Sequence, residues 1–187
     1  MKKLLIIALL SVSALIASTS AVSAQSASQS YIDKFKDNAI RIMHETGVPA
    51  SIILGVAMHE SGSGKSAIAK NLNNQFGVKG GGGAVYYKGN KKVRTSYKKY
   101  DSVLDSFKDF ARIMTERKQF SHLADKFTQY DYKGWAKGIQ RSGYCSSKKW
   151  AAQVMGIIKH YGLNEFDSEE AVKDTASAKK PELASNN

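Results

Sequence analysis

Between Pro49 and His59 the chain reads Ala-Ser-Ile-Ile-Leu-Gly-Val-Ala-Met, nine residues without a charge. A helix over residues 52–59 then has no polar face, so it is stable only when other elements surround it. The rest of the domain must therefore be built around this segment. Ser51 reads as its N-cap, and Glu60 falls at its C-terminal end as the first carboxylate after the apolar run.

Periodicity locates the surrounding elements. From Tyr31 to Glu45, Ile32, Phe35, Ala39, Ile42 and Met43 recur at helical spacing, and Gly47 with Pro49 ends the pattern. Gly80 to Gly83 read as a flexible loop. Val85 to Lys88 and Lys91 to Tyr97 flank Gly89-Asn90 and predict a β-hairpin beside the end of the Glu60 helix. Ser102 with Asp105 has the form of a capping box opening a helix to about Glu116. A loosely patterned stretch, Lys118 to Tyr130, follows. Asp131 reads as the cap of a helix to Ser142, and Ser147 as the cap of a last helix from Lys148 to Tyr161, closed by Gly162. The expectation is one α+β domain, mainly helical and lysozyme-like, with a small hairpin lobe beside the end of the Glu60 helix, over residues 29–166. The stretch from Asp167 to Asn187 is charged and small, holds Pro181 and no aromatic residue, and is expected to be a disordered polar tail.

The first residues place this domain. Lys2 and Lys3 precede an apolar run from Leu4 to about Ala17, and small residues end in Val22-Ser23-Ala24. This order predicts a secretory signal peptide over residues 1–24, because the run falls short of the roughly 20 residues of a membrane span. No cysteine stands near the cleavage site, which argues against a lipid anchor. The single cysteine, Cys145, allows no internal disulfide, so an ordinary core must hold the fold. A formal charge of +12 favours an anionic partner, and nucleic acid is mostly absent outside the cytoplasm. The expected location is the periplasm, the exterior or the cell wall.

Three familiar chemistries are excluded by spacing. Gly62-Ser63-Gly64-Lys65-Ser66 imitates a P-loop, but His59 stands where the first glycine is required. His59-Glu60 begins like a zinc-protease helix, yet no second histidine follows at the needed spacing, so no metal and no cofactor is expected. No Gly-x-Ser-x-Gly elbow is present. Glu60 remains. A carboxylic acid at the rim of an apolar helix is partly desolvated and can hold a proton for a glycosidic oxygen, although a carboxylate that merely ends a helix reads the same way.

Four motifs sharpen the reading: Glu60-Ser61-Gly62-Ser63-Gly64-Lys65-Ser66, Asn73-Asn74-Gln75-Phe76-Gly77-Val78-Lys79, Tyr97-Lys98-Lys99-Tyr100-Asp101-Ser102 and Gly143-Tyr144-Cys145-Ser146. In this order the chain resembles glycoside hydrolase family 73, the β-N-acetylglucosaminidases and flagellar muramidase-like enzymes that cut peptidoglycan, from about Tyr31 to Gly162. The resemblance implies Glu60 as general acid and Tyr144 as the tyrosine across the cleft. It implies a saccharide groove at Asn74, Phe76 and Gly77, and places Tyr100, Asp101 and Ser102 between hairpin and helix. Tyr97, Tyr100 and Tyr144 are also compatible with a core role.

One departure from the family bears on mechanism. Many members carry a second acid in the hairpin lobe, and here no Asp or Glu occurs between Glu60 and Asp101. Three routes remain: attack by the substrate's own 2-acetamido oxygen, Asp101 as the base if it turns toward the cleft, or glycan binding without turnover. The first is favoured, because an N-acetylated sugar brings its own nucleophile. The expected function is an exported hydrolase cutting the β-1,4 bond after N-acetylglucosamine in peptidoglycan. The alternatives are an N-acetylmuramidase or lytic transglycosylase, and a non-catalytic wall-binding module. The expected partners of this monomer are peptidoglycan strands and, through Lys88, Lys91, Lys92, Arg94, Lys98 and Lys99, anionic wall polymers. A solvated edge that discourages strand pairing reads equally well for those cations.

Overall fold

The computed structural model describes residues 26–168. The expected signal peptide and the tail beyond residue 168 lie outside the described residues. The chain divides between Lys34 and Phe35 into two units. Of the first, residues 26–34 are described and are helical; in the second, residues 35–46 are helical and are α1.

The second unit is built around α2 (Ala50–Ser61), in which every residue from Ala50 to Met58 is buried. Its N-cap is Pro49, not Ser51. Proline has no N–H to satisfy and a φ suited to helix entry. Ser51 instead sits in the first turn, where its N–H donates to Asp167 Oδ1 at 2.8 Å and its hydroxyl to Oδ2 at 2.6 Å. The acceptor that satisfies the start of α2 thus comes from 116 residues downstream. Asp167 closes a 3-10 turn, Leu163–Asp167, and is only 3% exposed. The folded domain therefore runs past the expected boundary at residue 166. Burial drives the Asp167 carboxyl up to about 6, against the opposing pull of its bonds from Ser51 and Ala50.

Helix α2 packs against α4, α6, α7 and the 3-10 turn. These are α4 (Val103–Glu116), α6 (Tyr132–Arg141) and α7 (Trp150–Tyr161). The expected capping box of α4 is present: Ser102 Oγ accepts from Asp105 N at 3.1 Å, and Asp105 Oδ2 accepts from Ser102 N at 3.0 Å. Asp131 caps α6 as expected, accepting from Gly134 N at 2.8 Å. Helix α7 begins two residues later than expected, since Ser147 Oγ accepts from Lys149 N and makes a turn before the helix. A short helix, α5 (His122–Lys126), lies in the stretch that carried no clear pattern.

Between α2 and α7 the approach is set by Gly55. A Cβ there would meet Ile158 Cγ1 at 2.8 Å and Val154 Cγ1 at 3.5 Å. Trp150, Val154 and Ile158 follow one another at four-residue intervals and are all buried, so they form one stripe of α7. Ile158 and Val154 lie at Gly55 while Trp150 reaches Glu60, so the two helices run antiparallel.

The hairpin consists of β1 (Lys79–Lys88) and β2 (Lys91–Tyr97), joined by Gly89-Asn90 with Lys88 paired to Lys91. The glycine run expected as a loop is strand: it lies within β1 at an irregularity in the ladder. Lys79 pairs with Tyr97 and Ala84 with Thr95, so five steps along β1 correspond to two along β2. Glycine tolerates such a bulge because no side chain has to be placed. Helix α3 (Ala67–Leu72), capped by Ser66, packs against β1. No helix among the described residues is long and apolar enough to cross a membrane.

Candidate active site

Glu60 is the penultimate residue of α2 and, unlike Ala50 to Met58, is only half-buried. The turn after it is held tightly. Ser61 Oγ donates to Ala57 O at 2.6 Å and accepts from Gly64 N at 2.7 Å, while Gly62 ends the helix in the left-handed region at φ 60°. A glycine is needed there because a Cβ disfavours that conformation. The Gly-Ser-Gly sequence that imitates a P-loop is thus a helix-to-helix turn between α2 and α3.

Glu60 opens into a cleft of about 420 Å³. One wall is Phe76, Gly77, Val78 and Lys79, continued by Tyr97 at the base of the hairpin. The other is Ile113, Arg117, Gln119 and Phe120 with Gly143, Tyr144 and Cys145. Among the described residues lining this cleft, Glu60 is the one carboxylate. An aromatic series supports it: Phe76 stacks on Phe110 at 4.3 Å, and Tyr144 lies edge-on to Phe110 and against Trp150 at 5.1 Å. The Tyr144 hydroxyl donates a long bond, 3.3 Å, to Phe76 O. Burial first, and then the charge of Glu60, push its pKa upward, so it faces the cleft as a protonated hydroxyl.

Trp150 donates its indole N–H to Glu60 Oε1 at 2.8 Å. Its local signal in the sequence was that of a core residue in an apolar stripe, and nothing in the spacing linked it to a carboxylate 90 positions away. Arg117, the C-cap of α4, was likewise missed, as were Gln119 and Phe120, which lie in the stretch without a clear pattern. The amide of Gln119 donates to Ser142 O, tying that stretch to the Tyr144 loop.

Of the residues expected at the site, Glu60, Phe76, Gly77 and Tyr144 come together in the cleft. Asn74, Tyr100 and Asp101 do not line it, and the groove is redrawn without them. Asn74 is buried, with its amide spent on Val78 O and Lys98 O at 2.9 and 2.8 Å and its Oδ1 taken by Val78 N. Tyr100 is buried too and donates its hydroxyl to Asp109 Oδ2 at 2.7 Å. Lys98 and Arg112 also bond Asp109. Burial pushes the Asp109 carboxyl up, but its three bonded partners outweigh this and hold it below the ordinary carboxylate value. Asp101 is exposed, and its backbone carbonyl accepts from Asn73 Nδ2 at 3.0 Å. These residues fasten the hairpin base to α3 and α4.

Residues 36–163 match the glucosaminidase family model, described as mannosyl-glycoprotein endo-beta-N-acetylglucosaminidase. The chain belongs to the glucosaminidase family, glycoside hydrolase family 73. Within the family it is similar to the exo-glucosaminidase LytG of Bacillus subtilis, 28% identical over 155 residues that cover 74% of this chain and 53% of LytG. It is also similar to the peptidoglycan hydrolase FlgJ of Escherichia coli, 28% identical over 62% of this chain and 41% of FlgJ. The chain thus spans about half the length of these relatives. Two solved structures share the fold. One is the catalytic domain of the autolysin Auto from Listeria monocytogenes, with a TM-score of 0.62 and 21% identity, covering 75% of this chain and 87% of that one. The other is the glycoside hydrolase domain of Salmonella typhimurium FlgJ, with a TM-score of 0.58 and 24% identity, covering 81% and 96%. The mainly helical glucosaminidase fold with a small antiparallel sheet is therefore the architecture in hand.

Proposed function

We propose that this glucosaminidase-family domain is an exported peptidoglycan hydrolase that cleaves the β-1,4 bond after N-acetylglucosamine, with Glu60 as the general acid. The observation that carries the reading is a cleft of about 420 Å³ whose lining holds a single carboxylate, Glu60, together with Tyr144. A lone carboxylate suits substrate assistance. The 2-acetamido oxygen bonds to the anomeric carbon as the glycosidic C–O bond breaks, and the leaving oxygen takes the proton of Glu60. Water then opens the ring intermediate, giving its proton back to Glu60. Tyr144 orients the acetamido group or the oxocarbenium-like sugar, and Phe76 and Gly77 shape the saccharide wall.

The outer face of the hairpin gives the domain a second contact with the wall. Val85, Tyr87, Lys92 and Arg94 are all exposed there, Tyr87 at 61%. Cross-strand pairs set Tyr87 against Lys92, Val85 against Arg94 and Lys88 against Lys91. The Lys88–Lys91 pair lies on the alternate face, so it is Lys92 and Arg94, beside Tyr87 and Val85, that this face offers to an anionic wall polymer.

A second reading, a wall-binding module without turnover, draws on the same lone carboxylate. The deciding experiment incubates the mature domain and Glu60→Gln with peptidoglycan and identifies the borohydride-reduced ends by mass spectrometry. Reduced N-acetylglucosamine released only by the wild type is expected. Reduced N-acetylmuramic acid or anhydro ends would reassign the bond to the muramidase or transglycosylase alternative. No release by either protein, with wall pelleting intact, would replace the hydrolase with the binding module.

A further inference from the structure

Trp150 stands behind Glu60 and does not line the cleft, with its side chain 2% exposed and its indole N–H 2.8 Å from Glu60 Oε1. It is held there by the α7 stripe that locks onto Gly55, by His59, whose ring meets it edge-on at 6.3 Å, and by Tyr144 on its other side. An indole N–H is only a donor. The oxygen it addresses must therefore accept, and because a carbonyl oxygen accepts better than a hydroxyl oxygen, the bond favours a proton on the other oxygen.

We propose that Trp150 is a positioning residue for Glu60: it reserves Oε1 as an acceptor, so that Oε2 is the oxygen that holds and transfers the proton. The proposal rests on Glu60 being the acid. As the proton leaves Oε2, charge develops on the carboxylate. A neutral N–H···O bond then becomes a charge-assisted one, which is roughly twice as strong. The bond is thus stronger in the transition state than in the ground state, and that difference lowers the barrier. Because the same N–H faces the carboxylate when it takes a proton from water, Oε2 serves both halves of the reaction and Glu60 does not have to turn between them.

The test removes the donor and keeps the shape. Trp150→3-benzothienylalanine, installed site-specifically, replaces N–H by sulfur within the same fused ring. It is compared with the wild type, Trp150→Phe and Glu60→Gln on soluble, uncrosslinked peptidoglycan strands, with thermal melting recorded for each. The expected result is a fall in kcat of about 10- to 100-fold, the range for losing a bond to a charged group, at unchanged KM and unchanged Tm. Wild-type kcat in the benzothienyl variant, with Glu60→Gln inactive, overturns the role of Trp150 and leaves the acid in place. A loss of kcat matched by a raised KM or a lowered Tm assigns Trp150 to packing alone and overturns the proposal as well. Activity in Glu60→Gln removes the acid reading, and the proposal falls with it. Should Trp150→Phe fail to fold, the shape-preserving variant still decides.

Discussion

Gly55→Ala tests whether the packing of α7 on α2 sets the chemistry at Glu60. The new Cβ would stand 2.8 Å from Ile158 Cγ1 and 3.2 Å from Ile158 Cδ1. The first is about 0.7 Å inside the distance at which carbon atoms attract, and Ile158 is fully buried with nowhere to swing. The helix must give by a similar amount. Overpacking of this kind costs about 1–3 kcal/mol, partly offset by the roughly 1 kcal/mol that alanine gains over glycine in a helix interior. The net expectation is a loss of up to about 2 kcal/mol. For a domain of this size that is a fall in Tm of several degrees, at roughly 3–6 °C per kcal/mol. The same displacement stretches the 2.8 Å bond from Trp150 to Glu60 beyond the range of a real hydrogen bond, so kcat should fall by an order of magnitude. Ile158→Ala removes both offending carbons, and the double variant should recover much of the kcat lost by Gly55→Ala. The assay is a double-mutant cycle in kcat and Tm. Gly55→Ala with wild-type turnover, or a double variant no more active than additivity allows, would refute the reasoning.

Three further outcomes follow from the same geometry. Tyr144→Phe should lower turnover by about 10²-fold, the scale for losing one aimed donor, while wall pelleting persists; its Tm should barely move because the bond it loses to Phe76 O is long, and unchanged turnover would remove Tyr144 from the chemistry. Asp167 binds its proton more tightly in the folded state, up to about 6 against 3.8, so between these values the native state holds more proton than the unfolded one. Its contribution to stability must then decline as pH rises through that window. Denaturant titrations at pH 4 and 7 should show Asp167→Asn flattening this decline, and an identical pH dependence in both proteins would contradict it. The double reversal Lys92→Glu with Arg94→Glu should weaken wall pelleting at low salt and lose its effect at high salt, with cleavage of short soluble glycan unchanged; equal pelleting at all salt concentrations would confine these cations to edge protection.

What the sequence displayed well was local. The apolar run that makes α2 a buried helix, the Ser102-Asp105 box and the Gly89-Asn90 turn each depend on neighbours within a few positions, and each is where the pattern placed it. Glu60, Phe76 and Tyr144, which the short motifs singled out, share one cleft. The failures are long-range. Ser51 has the residue type of an N-cap, but the acceptor at the start of α2 is the carboxylate of Asp167, and no local window contains both. Asn74 and Tyr100 carry side chains suited to a groove, yet each found backbone or carboxylate partners that drew it into the scaffold. The glycine run looked like a loop because strand propensity is low there, yet the pairs on either side of it, Lys79 with Tyr97 and Ala84 with Thr95, carry the strand through an irregularity.

Helix α2 is fastened at its first turn by Asp167 and at its last by Trp150. Both clasps belong to the final stretch of the domain to be synthesised. A nascent chain that has produced everything up to Lys149 already contains Glu60, Tyr144 and the hairpin, but neither of these two side-chain bonds to α2. Both bonds therefore arrive late, and a chain truncated before Trp150 keeps Glu60 without the indole donor that addresses it.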